Sequence, residues 1–190
     1  MLKRATSLIS LLTILTLLCC LNGRAQVTSP TNVEVEFLAK IKSALIRSNQ
    51  FHFEEAKRDS QEALNLAQAA KDDRLIALAY LICGSVAQQQ VDNVSALKSY
   101  AAARTLLDRT PRSKIDNVTV PTLLPKPFTQ RASLLQMVLH NIGLVYATQG
   151  DFDNAFDYFR QSLKYGPETG LCGLTSITYS TIGLCLNNGV

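Results

Sequence analysis

Residues 139–167 read LHNIGLVYATQGDFDNAFDYFRQSLKYGP, and the spacing of small and large side chains in this stretch decides the fold. Two helices separated by a turn at Gly150 fit it. Gly143 and Ala155 are small where two antiparallel helices must cross closely, because a larger side chain would push them apart. Tyr146 and Phe159 fill the volume around that crossing. Gly150 suits the left-handed residue that ends a helix. Asp151 or Asp153 then caps the second helix, and Pro167 stops it.

The same offsets recur in the chain. Upstream, Tyr80, Gly84, Ala96, Tyr100 and Ala103 take the places of Leu139, Gly143, Ala155, Phe159 and Ser162. Val91 stands there where the turn glycine would be. Earlier still, Ala44, Ala56 and Ala63 keep the small-residue offsets, and downstream Tyr179, Ile182, Gly183 and Leu186 repeat the first-helix pattern. Ala44 to Gly84 and Gly143 to Gly183 are both 40 residues, whereas Gly84 to Gly143 is 59. The 40-residue period exceeds the ~34 of common helical-hairpin repeats, and an insertion of about 19 residues beyond it lies between the second and third units. Thr110–Gln130 holds Pro111, Pro121, Pro125 and Pro127, four of the six prolines. Proline removes an amide donor and keeps the preceding residue out of the helical region, so an extended loop is expected there.

The order of residues in 139–167, an apolar-Gly pair, then Tyr, Gly, Ala, Phe, a small residue and Pro, resembles the tetratricopeptide repeat. Ile142, Leu139 and Ser162 replace the usual Leu, Trp and Ala. The resemblance implies an all-α fold, a right-handed α-solenoid of antiparallel helix hairpins. The expected division is a leader at 1–25, a linker at 26–36, repeats 1 and 2 at 37–109, the Pro-rich loop at 110–130, repeat 3 at 131–170 and the first helix of a further repeat at 171–190.

The leader is read from Lys3 and Arg4, the uncharged apolar run Ser7–Leu21, and Gly23 and Ala25 flanking Arg24. A membrane span needs about 20 apolar residues and this run is shorter. Cleavage with export to the periplasm or medium is the reading; a retained anchor, or a lipid on Cys19 or Cys20, are its alternatives. Leu18 precedes Cys19, where a lipoprotein signal wants a small residue. Loss of 1–25 takes the net charge from +4 to +1, too little to attract phosphate backbones, so nucleic acid is not an expected partner. Cys83, Cys172 and Cys185 then remain, an odd and sparse set that is read as free thiols.

No metal-ligand spacing, nucleophile elbow or phosphate loop is present in the sequence, so neither catalysis nor a cofactor is expected. His140 is read as a groove residue in preference to an acid-base group. The resemblance implies that the first helix of each hairpin lines a concave binding surface. Its inward positions here are Leu38, Ile41, Leu45, Ser48 and Asn49; Leu78, Leu81, Ser85, Gln88 and Gln89; and Met137, His140, Leu144, Ala147 and Thr148. None is charged, which disfavours a grip on a peptide's terminal carboxylate and suits an amphipathic helix or an extended apolar peptide. Burial of that strip by later repeats or by the Pro-rich loop is the equal alternative.

Two functions follow. One is an exported scaffold that holds another polypeptide through its groove. The other is the extracytoplasmic sensor region of a membrane signalling protein, of the histidine kinase or transcriptional regulator type. A membrane contact is expected only through a retained leader or a further C-terminal region. The unmatched apolar face of the last helix also allows a dimer through that end.

Overall fold

A computed structural model describes residues 32–116, 124 and 126–188, and every regular element among them is helical. The leader and most of the linker lie outside the described residues. In chain order the elements are α1 (Asn32–Asn49), α2 (Phe53–Ala70), α3 (Asp73–Gln89), α4 (Asn93–Arg109), α5 (Arg112–Asp116) and α6 (Lys126–Thr129). They continue with α7 (Arg131–Gln149), α8 (Phe152–Leu163), α9 (Gly166–Thr169) and α10 (Cys172–Asn188). The long helices pair as hairpins, α1 with α2, α3 with α4 and α7 with α8, and successive hairpins stack, as in a tetratricopeptide-like solenoid. No described helix is long and apolar enough to cross a membrane.

Local chemistry sets the helix ends. Asp72 accepts from the amides of Arg74 and Leu75 at the start of α3, Asp92 from Ser95 in α4, and Asp151 from Asn154 in α8. Each satisfies amides that the first turn leaves without a partner. The three hairpin turns share one geometry. The amides of Phe51, Val91 and Gly150 reach back to Ser48, Gln88 and Ala147, and those of His52, Asp92 and Asp151 to Arg47, Ala87 and Tyr146. This double closure requires a left-handed residue, and φ is 63° at Phe51, 63° at Val91 and 80° at Gly150. Glycine, which adopts that conformation cheaply, occupies one turn of the three.

Small residues do sit at the helix crossings. A Cβ on Gly84 would lie 2.4 Å from the Tyr100 ring, and one on Gly143 would lie 2.6 Å from the Phe159 ring and 3.2 Å from the Ala155 carbonyl oxygen. In the first hairpin the exchange is reversed: Ala44 carries a Cβ, and the residue at the matching offset is Ser60, with both buried. One core runs through the stack, from Phe37, Ile41 and Leu45 through Leu78, Leu81, Ile82 and Tyr100 to Leu134, Val138 and Ile142. A smaller cluster of Leu144, Ala147, Ala155, Phe159 and Cys185 lies under α10.

The Pro-rich segment departs from the extended loop expected of it. Within it α5 and α6 are short helical turns, and Ile115, Leu124 and Phe128 enter the core. Pro111 comes directly before Arg112 and Pro127 is the second residue of α6, so each proline falls at a helix start, where its missing amide proton costs nothing. Asp116 accepts from the Arg131 backbone amide at 2.8 Å, and Arg131 Nε donates to the Leu107 carbonyl at 2.6 Å. Lys114 pairs with Asp73, and Arg112 with Glu168. The insertion is thus fastened to α3, α7 and α9. Pro167 likewise does not stop α8, which ends at Leu163; it lies in the first turn of α9.

Candidate functional site

Four of the eleven residues expected to dominate the groove, Leu38, Ser85, Gln88 and Thr148, are half-buried, and the other seven are buried. Ile41, Leu45, Leu78, Leu81, Met137 and Leu144 lie inside the stack, as does His140. Of the remaining inward positions, Ser48 and Ala147 are buried while Asn49 and Gln89 are half-buried. The cause is direct contact between first helices: α1 touches α3, α3 touches α7, and α7 touches α10. Helix α6 also packs on both α3 and α7. Apolar side chains that could face a ligand are used against the neighbouring repeat and the insertion, as their transfer out of water favours.

Apart from Leu38, the accessible remainder is polar and uncharged, and it clusters toward the C-terminal ends of the first helices. Ser48 Oγ donates to Gln89 Oε1 at 2.7 Å, joining α1 to α3. The Tyr100 hydroxyl donates to Gln88 Oε1 at 2.8 Å. Thr148 Oγ1 donates to the Val145 carbonyl at 2.7 Å. Asn49 Oδ1 and Gln89 Nε2 have no hydrogen-bond partner among the described residues. Those two atoms are buried, and it is the half-buried Ser85, Gln88 and Thr148 that can offer amides and hydroxyls to a peptide main chain, which presents the complementary donors and acceptors.

His140 is a core residue. Its Nδ1 is 2.9 Å from Thr178 Oγ1, its ring tilts against Phe159 at 5.6 Å between centroids, and its Nε2 has no partner among the described residues. Burial pulls its pKa down to about 4. It therefore stays neutral near pH 7 and meets no solvent, a geometry suited to holding α10 against α7 and α8. Cys83, Cys172 and Cys185 are free thiols, and burial raises the pKa of the first and last.

One residue that matters to this joint escapes a reading of the sequence. Gln136, fully buried in α7, accepts from Ser162 Oγ at its carbonyl oxygen at 2.8 Å and from Thr169 Oγ1 at its side-chain oxygen; its Nε2 donates to Thr175 Oγ1 at 3.1 Å. It ties α8, α9 and α10 to one point. The only signal in the sequence is an amide in an apolar run, Leu134-Leu135-Gln136-Met137-Val138, which an exposed position would show equally well.

Among known proteins, neither a curated protein nor a solved structure matches the chain. Residues 137–169, from the second turn of α7 to the end of α9, match the family model of the tetratricopeptide repeat, and so carry the signature of a protein-interaction repeat.

Proposed function

We propose that this chain is an exported scaffold that holds another polypeptide and catalyses nothing. The observation that carries this reading is the repeat match at 137–169, stacked on two upstream hairpins that keep its turn geometry, the second of which also keeps its glycine–aromatic crossing. Repeats of this kind typically bind other proteins. The export half of the proposal rests on the basic head, the apolar run and the Gly-x-Ala ending of the first 25 residues.

The contact surface is the accessible part of the groove set, Leu38, Ser85, Gln88 and Thr148, together with Asn49 and Gln89. Uncharged amides and hydroxyls beside a limited apolar area suit an extended segment bound through its main chain. Large charged patches on the partner are not required.

Affinity capture after crosslinking in the compartment the chain reaches tests this, comparing the native chain with a Ser85→Lys/Thr148→Lys variant. Both positions are half-buried, so the helices tolerate long side chains that can extend to solvent. Loss of a specific captured protein from the variant, with unchanged helical circular dichroism, supports the groove. Equal capture by both removes the groove, and capture of nothing specific by either removes the scaffold reading.

A further inference from the structure

Helix α10 carries no Asp, Glu, Lys or Arg along its length. One face docks on α7 and α8 and buries Thr178, Thr181 and Cys185. The other face holds Cys172, Ser176, Tyr179, Gly183 and Leu186, whose alternating spacing of four and three residues makes one stripe. Tyr179 is 61% exposed and Leu186 55% exposed. A Cβ on Gly183 would meet nothing within 4 Å.

That open position contrasts with its equivalents. In α3 and α7 the corresponding glycine is filled by an aromatic ring from an antiparallel helix, Tyr100 on Gly84 and Phe159 on Gly143. We propose that α10 pairs antiparallel with α10 of a second copy of this chain, so that Tyr179 of each copy seats on Gly183 of the other.

Three features of the stripe select a second copy as the occupant. Tyr179 and Gly183 lie one helical turn apart on the same face, so a two-fold axis level with Thr181 exchanges them and fills both glycine positions at once. This is the self-complementarity an isologous contact requires. The antiparallel sense is the one the fold already uses wherever an aromatic ring covers a glycine. The absence of charge on α10 means that self-pairing brings no like charges face to face, the usual penalty for apposing a surface with itself.

Sedimentation equilibrium of the full chain, as the cell delivers it, tests the proposal. The expected result is a reversible dimer. Gly183→Leu, placed where the monomer has open space, and Tyr179→Gly should each raise the dissociation constant at least ~30-fold, the effect of losing a central aromatic anchor. Circular dichroism of both variants should remain helical. The exchanged variant Tyr179→Gly/Gly183→Tyr keeps the two-fold register and should restore association. A monomer across the accessible concentration range overturns the proposal. A dimer indifferent to both single substitutions, or one the exchange does not restore, overturns it as well.

Discussion

The Tyr100 ring covers Gly84 so closely that a single added methyl would lie 2.4 Å from its Cε1. The ring cannot readily yield, because Tyr100 is fully buried and its hydroxyl is anchored on Gln88. The same relationship joins Phe159 to Gly143, where backbone as well as ring stands in the way.

Gly84→Ala and Gly143→Ala should therefore each destabilise the chain by about 1–3 kcal/mol through overpacking, despite the better helix propensity of alanine. Gly183→Ala meets no neighbour and should stabilise dilute protein by up to ~1 kcal/mol. Urea denaturation of the three variants gives the comparison. A similar loss at Gly183 would place a crossing helix over it within the monomer.

These crossings were legible because small residues at fixed offsets report backbone approach, which depends little on what surrounds the hairpin. The groove was not. Leu81 and Leu144 occupy inward positions of first helices whether those positions meet a peptide or the next repeat, and periodicity is the same in both cases. Burial of both followed from contacts that no local pattern encodes: Leu81 lies in the core that Phe128 of the insertion joins, and Leu144 in the cluster that Cys185 of α10 joins. The insertion itself misled because proline forbids helix before it yet favours helix after it, and only its tertiary anchors on Asp73, Arg131 and Glu168 show which applies.

Val91 holds φ at 63° with 67% of its surface exposed. A β-branched residue is strained in that conformation by roughly 1–2 kcal/mol, and the exposed side chain returns little by burial. Val91→Gly relieves the strain, offset in part by the greater freedom of glycine in the unfolded chain. A net gain of about 0.5–1 kcal/mol in thermal or urea unfolding is expected. The gain should be smaller at Phe51→Gly, because Phe51 packs edge-on against Phe53 at 6.0 Å.

His140 makes stability depend on pH. Its folded pKa, about 4, lies below the ~6.5 of an unfolded histidine. As pH falls from 6.5 toward 4 the unfolded chain takes up a proton that the folded chain refuses, so stability is present above that window and is lost through it. The loss between pH 7 and pH 5 should be about 2 kcal/mol from this residue. It is measured as the difference in pH dependence between the native chain and His140→Asn, which cannot titrate. Identical slopes would show that the ring is solvated.

Gln136 connects three elements, and its replacement should act locally. Gln136→Leu keeps bulk at a buried site but removes its hydrogen bonds to the half-buried Thr169 Oγ1 and Thr175 Oγ1, at a cost of about 1–2 kcal/mol for two bonds lost. In a stack where each unit rests mainly on its neighbours, that cost falls on the attachment of the last helix and is not shared along the chain. Amide hydrogen exchange should accordingly quicken across Gly166–Asn188, whereas α1–α4 keep their protection, since none of them bonds to Gln136. Uniform acceleration from α1 to α10 would mean that the stack opens as one unit, and the polar joint under α10 would then have no separate role.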